Sequence, residues 1–470
     1  MEDLANFSVE YAQKKGAKYA EARVENTSTT GIVLKNGNLE ASTFSTYDGL
    51  GMRFIVQGKL GFVSTNGLDS KAKIKRLIVE AIKKTKSSKK YGEKLTLADD
   101  TAHQDKYEVK QKNNLLDIDI DEKIKWIMES EKAIKSSGVN VPARFIGYSD
   151  HMTTEHLVNS DGTAITATVP KVNMYYLLTI AENNKVTQRY SGKGGSGGWE
   201  IPESWDLNKL FTEEVVSMKT NLVKGVKTPK GIMPIVCGPE VTGIMVHESA
   251  GHPYEADRIF GREAAQAGES FITKKMVGFN IGNEKVTVVD DPVLENSYGY
   301  YKYDNEGVKA RRKFLIKNGM ITEFLHNRET AHHMGLESNG SSRATDYDKE
   351  SIVRMSNTFM LPGKVSEDDL FKDVKKGVFI KNFMEWNIDD KRLNQKYTGA
   401  EAYLIENGEL TKPVINPVLE VSTTKLYHAV DEVANNLELF SGNCGKGEPM
   451  QGIPVFMGGP SILLKGLRIK

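Results

Sequence analysis

The 470-residue sequence predicts an α+β protein. An N-terminal α/β region of antiparallel strands and helices precedes a β-rich C-terminal domain, a barrel-like or curled sheet enclosing one helix. Three observations predict this. Asn36-Gly37 and Gln57-Gly58 each divide a pair of apolar runs near the start, which is hairpin chemistry. Helical spacing at Ile74, Leu77, Ile78, Ala81 and Ile82 follows those hairpins. Beyond residue 229 the strand signals become short and numerous around a single apolar helix.

Taken in order, a helix is expected from Leu4 to Lys14 and a strand from Ala20 to Val24. Hairpins follow from Ile32–Leu34 with Leu39–Ala41, and from Met52–Val56 with Leu60–Val63. Lys83 to Lys112 is Lys-rich without an apolar period and reads as a solvated linker or helix tail. Ile120, Ile124, Ile127 and Met128 mark a helix that Gly138 ends. Strands are expected at Ala143–Tyr148, His156–Asn159, Ala164–Val169 and Val172–Ile180, then a helix from Phe211 to Val223. The glycine run from Gly192 to Gly198 lacks the GK[ST] ending of a phosphate loop and reads as a mobile loop near a site or a domain border. Ile232–Cys237 is a strand, and Gly238-Pro239-Glu240 opens a helix whose apolar face is Val241, Ile244 and Met245. Short strands follow at Val286–Val289, Arg312–Ile316 with Met320–Leu325, and Ala402–Ile405, and Val455–Leu467 closes the chain. The chain is too long for one core, so three units are expected, at 1–115, 116–228 and 229–470.

Composition narrows the function classes. Lys+Arg 63 against Asp+Glu 62 leaves a net charge of +1, which argues against general nucleic-acid affinity. With 39% hydrophobic and 27% charged residues the chain reads as globular. The acidic opening Met1-Glu2-Asp3 and the lack of a long apolar run predict neither signal peptide nor membrane span. Two cysteines cannot build a disulfide framework, which favours a reducing cytoplasm.

The chemistry-bearing stretch is Val246-His247-Glu248-Ser249-Ala250-Gly251-His252-Pro253-Tyr254-Glu255-Ala256-Asp257. Two histidines bracket a glutamate, the residue set of a site where a metal activates water and a carboxylate takes the proton. In HExxH helices the histidines stand about 40° apart around the axis; in this HExxxH motif they stand about 140° apart. One ion reaches both only if the helix is bent or bulged, and Gly251 and Pro253 supply devices for that. A catalytic ion also needs a third ligand and an open position. Cys444, in the glycine loop Gly442-Asn443-Cys444-Gly445-Lys446-Gly447, fits the need, with Lys446 favouring the thiolate. His247, His252 and Cys444 are thus the candidate metal ligands and Glu248 the candidate general base. One Zn2+ per chain is expected, although cobalt or iron would also suit the set.

These residues resemble the TldD/PmbA family of metalloproteases: HESAGH followed by EAD, with NCGK downstream. Val288-Val289-Asp290-Asp291-Pro292, Asp304-Asn305-Glu306-Gly307, Asn357-Thr358-Phe359-Met360-Leu361-Pro362-Gly363 and Glu401-Ala402-Tyr403-Leu404-Ile405-Glu406-Asn407-Gly408 extend the likeness over most of the chain. The ligands being present, it resembles the active TldD-type subunit. The family's usual Gly-rich turn is replaced by Glu385-Trp386-Asn387-Ile388-Asp389-Asp390, a departure expected to touch substrate preference rather than chemistry. The resemblance implies hydrolysis of unfolded or extended peptides, and a TldE/PmbA-type partner or a homodimer.

Other residues read more plainly. Cys237 is expected as a buried thiol, His332-His333 as solvated loop residues, and His428 as a packing residue. Glu255 and Asp257 either orient the imidazoles or form ordinary ion pairs. The alternative to a peptidase is a non-catalytic scaffold whose metal is structural and closed by a fourth ligand, Glu255 or Asp257.

Overall fold

The computed structural model describes residues 2–68, 70–88, 94–263 and 268–470. Four long strands organise its N-terminal half: Tyr19–Lys35, Asn38–Val56, Ala143–Asn159 and Ala164–Glu182. With Lys59–Asn66 they form one sheet in the order Lys59, Asn38, Tyr19, Ala143, Ala164, every pair antiparallel. The Asn36-Gly37 hairpin forms as expected, both residues taking the left-handed conformation (φ 52° and 86°) that the tight turn requires. Tyr19–Lys35 pairs with Ala143–Asn159 across fifteen positions, so the sheet is continuous from the first expected unit into the second.

Alternation decides what each face of this sheet meets. Even-numbered positions are apolar. Ala20, Ala22 and Val24 pack beneath the helices Glu2–Lys14 and Lys71–Ser87. Ile32, Leu34, Ile146 and Tyr148 pack beneath Ile120–Ser136 and Leu207–Lys224. The odd-numbered face carries Glu21, Arg23, Glu25 and Arg53, yet these are buried as well. They meet the C-terminal half: Arg53 pairs with Glu306 at 2.5 Å, and Arg23 donates to the Lys349 carbonyl at 2.7 Å.

Three expectations need correction here. Of the stretch Lys83 to Lys112, 89–93 lie outside the described residues, and the rest is not all linker or helix tail: Gln104–Glu108 is a strand, parallel to Ala164–Thr168. The four central strands expected between Ala143 and Ile180 are two. Their polar middles face the buried, charged side of the sheet rather than a turn. Pro170 falls between the two neighbours on that edge, whose pairing with the strand ends at Thr168 and resumes at Val172, where no outer ladder bond is needed. Gly192 to Gly195 continue the strand Lys185–Gly195 instead of opening a loop.

The C-terminal half is β-rich and curled around one helix. Ile235–Cys237 lies mid-sheet between Lys376–Ile380 and Ile462–Leu464. Gly238 caps the next element and Pro239 begins it, giving the helix Pro239–Val246. Val241, Ile244, Met245 and Val246 are each at most 1% exposed, and burying each is worth roughly 1.5–3 kcal/mol. This helix packs on Gln451–Gly459, where Gly243 approaches so closely that a Cβ would lie 2.9 Å from the Gly458 Cα. The strand beside it, Glu438–Lys446, carries Cys444, so the thiol sits on a ladder (opposite Ile453) and not on a glycine loop. No described helix is long and apolar enough to cross a membrane.

Candidate metal centre

The helix Pro239–Val246 does not end at the first histidine; it widens. His247–Gly251 is a π-helical turn, and the His252 N–H donates to the His247 carbonyl five residues earlier. An i→i+5 turn sets residues five apart on one side, which supplies the bulge that the spacing demanded. Gly251 is required within it, because a Cβ there would fall 2.0 Å from the Met355 sulfur. A 3₁₀ turn, His252–Tyr254, follows with Pro253 inside it.

The turn brings the two imidazoles to a centroid separation of 4.9 Å, edge to face. Cys444 Sγ reaches the group from the neighbouring strand, 3.3 Å from His252 Nε2. One ligand atom from each of His247, His252 and Cys444 lies within 4.8 Å of the others, and all three residues are buried. The donor set fits a divalent ion on further grounds. His247 Nδ1 is buried with no hydrogen-bond partner. Burial holds His247 below its usual range, in the neutral form that a metal takes. Burial would raise the Cys444 thiol, but His252 and Arg354 outweigh it and bring it down to about 7.

Arg354, fully buried, donates to the Cys444 carbonyl and to the Gln451 carbonyl, so it is this guanidinium that backs the thiol. Lys446, expected in that part, is engaged elsewhere: it donates to Asp257 at 2.7 and 2.8 Å and to the Val353 carbonyl. The two acidic residues after the motif therefore separate. Glu255 Oε2 lies 3.1 Å from His252 Nδ1, orients that ring and also pairs with Arg258 and Lys446, while Asp257 serves as an ion-pair partner alone. Burial would raise the Glu255 carboxyl, but Lys446, His252 and Arg258 hold it well below the carboxylate range.

Glu248 lines the same cavity, about 290 Å³, as the three ligands. Its two oxygens are claimed from across the chain: Trp386 Nε1 donates to Oε1 at 3.0 Å, and Arg392 donates to Oε2. Burial would raise this carboxyl, but His252, Arg392 and His247 outweigh it and keep it ionised. Sequence reasoning missed both partners. For Trp386 the signal was present in the stretch Glu385 to Asp390, which reaches Glu248 itself as well as the cavity wall, and Arg392 lies just beyond that stretch. The N-terminal sheet supplies the opposite wall with Asn173, Tyr175, Tyr190 and Gly192.

The plainer residues fall as follows. Cys237 is fully buried, and burial pushes its thiol up to about 12. His332 and His333 lie on the helix Arg328–Met334 instead of a loop, with His333 2.7 Å from the Arg262 guanidinium. His428 ends a short helix and is exposed.

Comparison with known proteins identifies the family. The chain matches models of the PmbA/TldA metallopeptidases: domain 1 over residues 20–85, the central domain over 113–222 and the C-terminal domain over 230–470. A protein named metalloprotease from Methanocaldococcus jannaschii is 34% identical, over 94% of this chain and 94% of its own. One named zinc metalloprotease TldD homolog, from Saccharolobus solfataricus, is 27% identical over 74% and 76% of the two chains. TldE from Thermococcus kodakarensis shares the fold, with a TM-score of 0.78 over 100% of this chain and 99% of that one, at 19% identity.

Proposed function

The chain belongs to the TldD/PmbA family of metallopeptidases, and from that premise we propose that it hydrolyses peptide bonds in unfolded or extended peptides. In this reading His247, His252 and Cys444 hold one zinc ion and Glu248 is the general base. The observation that carries it is the π turn, which sets two imidazoles beside the Cys444 thiol of a neighbouring strand, three buried donor atoms within 4.8 Å of one another beside a carboxylate. Bound there, a divalent ion acidifies water towards neutrality and polarises a carbonyl oxygen.

The chain's own groups do the rest. Glu248 accepts a proton from the attacking water and returns one to the departing amine nitrogen. Trp386 and Arg392 fix the carboxylate's orientation and keep it ionised before substrate enters. Glu255 holds the His252 ring, and Arg354 keeps the Cys444 strand in place. The surrounding strands supply a cleft in which an extended peptide can be held by its backbone. Asp257 is committed to Lys446, and Glu255 Oε2 to His252, Arg258 and Lys446, while the buried Glu255 Oε1 has no hydrogen-bond partner.

The experiment is Glu248→Gln in the full chain. It should retain about one metal per chain by elemental analysis and lose cleavage of an unfolded peptide; full activity would remove Glu248 from the mechanism. The likeness to a TldE fold supports a companion subunit of that type, with a homodimer as the other assembly. The same assay with and without a co-purified companion tests this: equal rates would make the companion dispensable.

A further inference from the structure

A second cavity, of about 370 Å³, lies between the odd-numbered face of the long sheet and the C-terminal half. It adjoins the metal centre: Asn443, next to Cys444, lines both cavities. Along the strand Ala164–Glu182 the transition is equally short. Tyr175 and Asn173 line the metal-centre cavity and Lys171 the second, all on one face. Two residues of strand span roughly 7 Å, one dipeptide step of an extended substrate.

The charges on the second cavity's wall are unevenly satisfied. Its four acids each have a partner, Asp346 through the Tyr347 N–H, and burial raises the Glu25, Glu155 and Asp304 carboxyls. Glu25 pairs with Arg23 at 3.1 Å, and Glu155 lies 3.6 Å from the same guanidinium and accepts from Asn305. Asp304 accepts three backbone N–H bonds, from Glu306, Val308 and Ser342. Its cations differ. Arg343 stacks on Tyr301 and donates to two backbone carbonyls. Lys171 has neither an ion pair nor a hydrogen bond among the described residues. Burial, with the Arg343 charge nearby, pushes its ammonium well below the usual lysine range. Lys171 is half-buried, and an anion entering the cavity would favour its charged form. Between Lys171 and the metal centre, the buried Asn173 Oδ1 also lacks a partner, an acceptor placed for a substrate N–H.

We propose that this second cavity is a substrate subsite in which Lys171 takes a carboxylate that the peptide carries away from the bond that is cut. The carboxylate is the peptide's C-terminus or an Asp or Glu side chain. The proposal rests on the peptidase reading above for what lies at the metal centre, but binding at Lys171 is measurable without turnover.

The test uses the full chain carrying Glu248→Gln, so that peptides persist, and fluorescence anisotropy of labelled alanine-rich pentapeptides. One ends in a free carboxylate, one in an amide, and one is amidated with an internal Asp. A carboxylate-bearing peptide should bind about tenfold or more tightly than the plain amide. Lys171→Met should bring that ratio near one, and Lys171→Arg should keep part of it. A gain confined to the free acid assigns the C-terminus, and a gain confined to the Asp peptide assigns a side chain. Equal binding of all three, or binding of none, overturns the subsite. Wild-type hydrolysis of the same peptides, run alongside, separates the two readings. Cleavage without preference leaves the peptidase and removes the subsite, whereas selective binding without any cleavage does the reverse.

Discussion

The His252 N–H donates to the His247 carbonyl, and that single i→i+5 bond turns a spacing that a regular helix would splay into a shared ligand face. The widened turn is held from outside by Met355, which is fully buried against Gly251.

Gly251→Ala is therefore expected to disturb the ligands without touching one. Its Cβ would fall 2.0 Å from the Met355 sulfur, and overpacking of this kind costs about 1–3 kcal/mol. Metal per chain and the midpoint of thermal unfolding should both drop. Adding Met355→Ala should recover part of the metal binding, since it removes the obstructing sulfur. A single variant with wild-type metal content and melting would mean that the turn does not depend on Gly251.

Trp386 and Arg392 lead to a prediction about rate alone. Trp386→Phe deletes the N–H that Glu248 accepts, and Arg392→Met deletes the opposing charge. Each should lower kcat about tenfold, the scale of losses from residues that orient catalytic groups, while metal content stays at the wild-type value. Loss of metal in either variant would instead mark the pair as structural supports of the centre.

Much of the site was legible because its chemistry is confined to residue types with few other uses. His247, His252 and Cys444 stand out in a chain with nine histidines and two cysteines. What brings them together was legible only as a requirement: the spacing demanded a bulge, while the π turn depends on Met355, a hundred residues away. Trp386 and Arg392 belong to the hairpin region around Phe383–Ile388 and Asn394–Gly399, and no spacing rule ties that region to Glu248. In the fold, hairpins announced by Asn-Gly and apolar alternation were readable, because local chemistry sets both. Strand continuity was not. The stretch Ser149 to Glu155 looks like a break because it is polar, yet it is the middle of Ala143–Asn159 and faces a buried, charged interface. Cys444 was misread for a related reason: flanking glycines suggest a loop, but here they let a strand approach Met450 and Met457 closely.

His326 should make the chain's stability depend on pH in a defined window. Its ring is 2% exposed; Nδ1 lies 3.1 Å from the Thr330 hydroxyl, and Nε2 has no partner. Burial outweighs the nearby Glu323 charge and lowers the imidazole from 6.5 to about 4. The folded chain thus keeps this ring neutral where the unfolded chain protonates it. Stability is fully present above pH 6.5 and is lost as pH falls towards 4, by up to about 3 kcal/mol at 1.36 kcal/mol per pH unit. His326→Gln cannot take up the proton. In metal-free protein, where the ligand residues add the same pH slope to both chains, the wild-type melting temperature should fall further than the variant's between pH 7 and pH 5. Parallel decreases would show that the ring is protonated in the folded state at no cost, and that the burial around it does not exclude the charge.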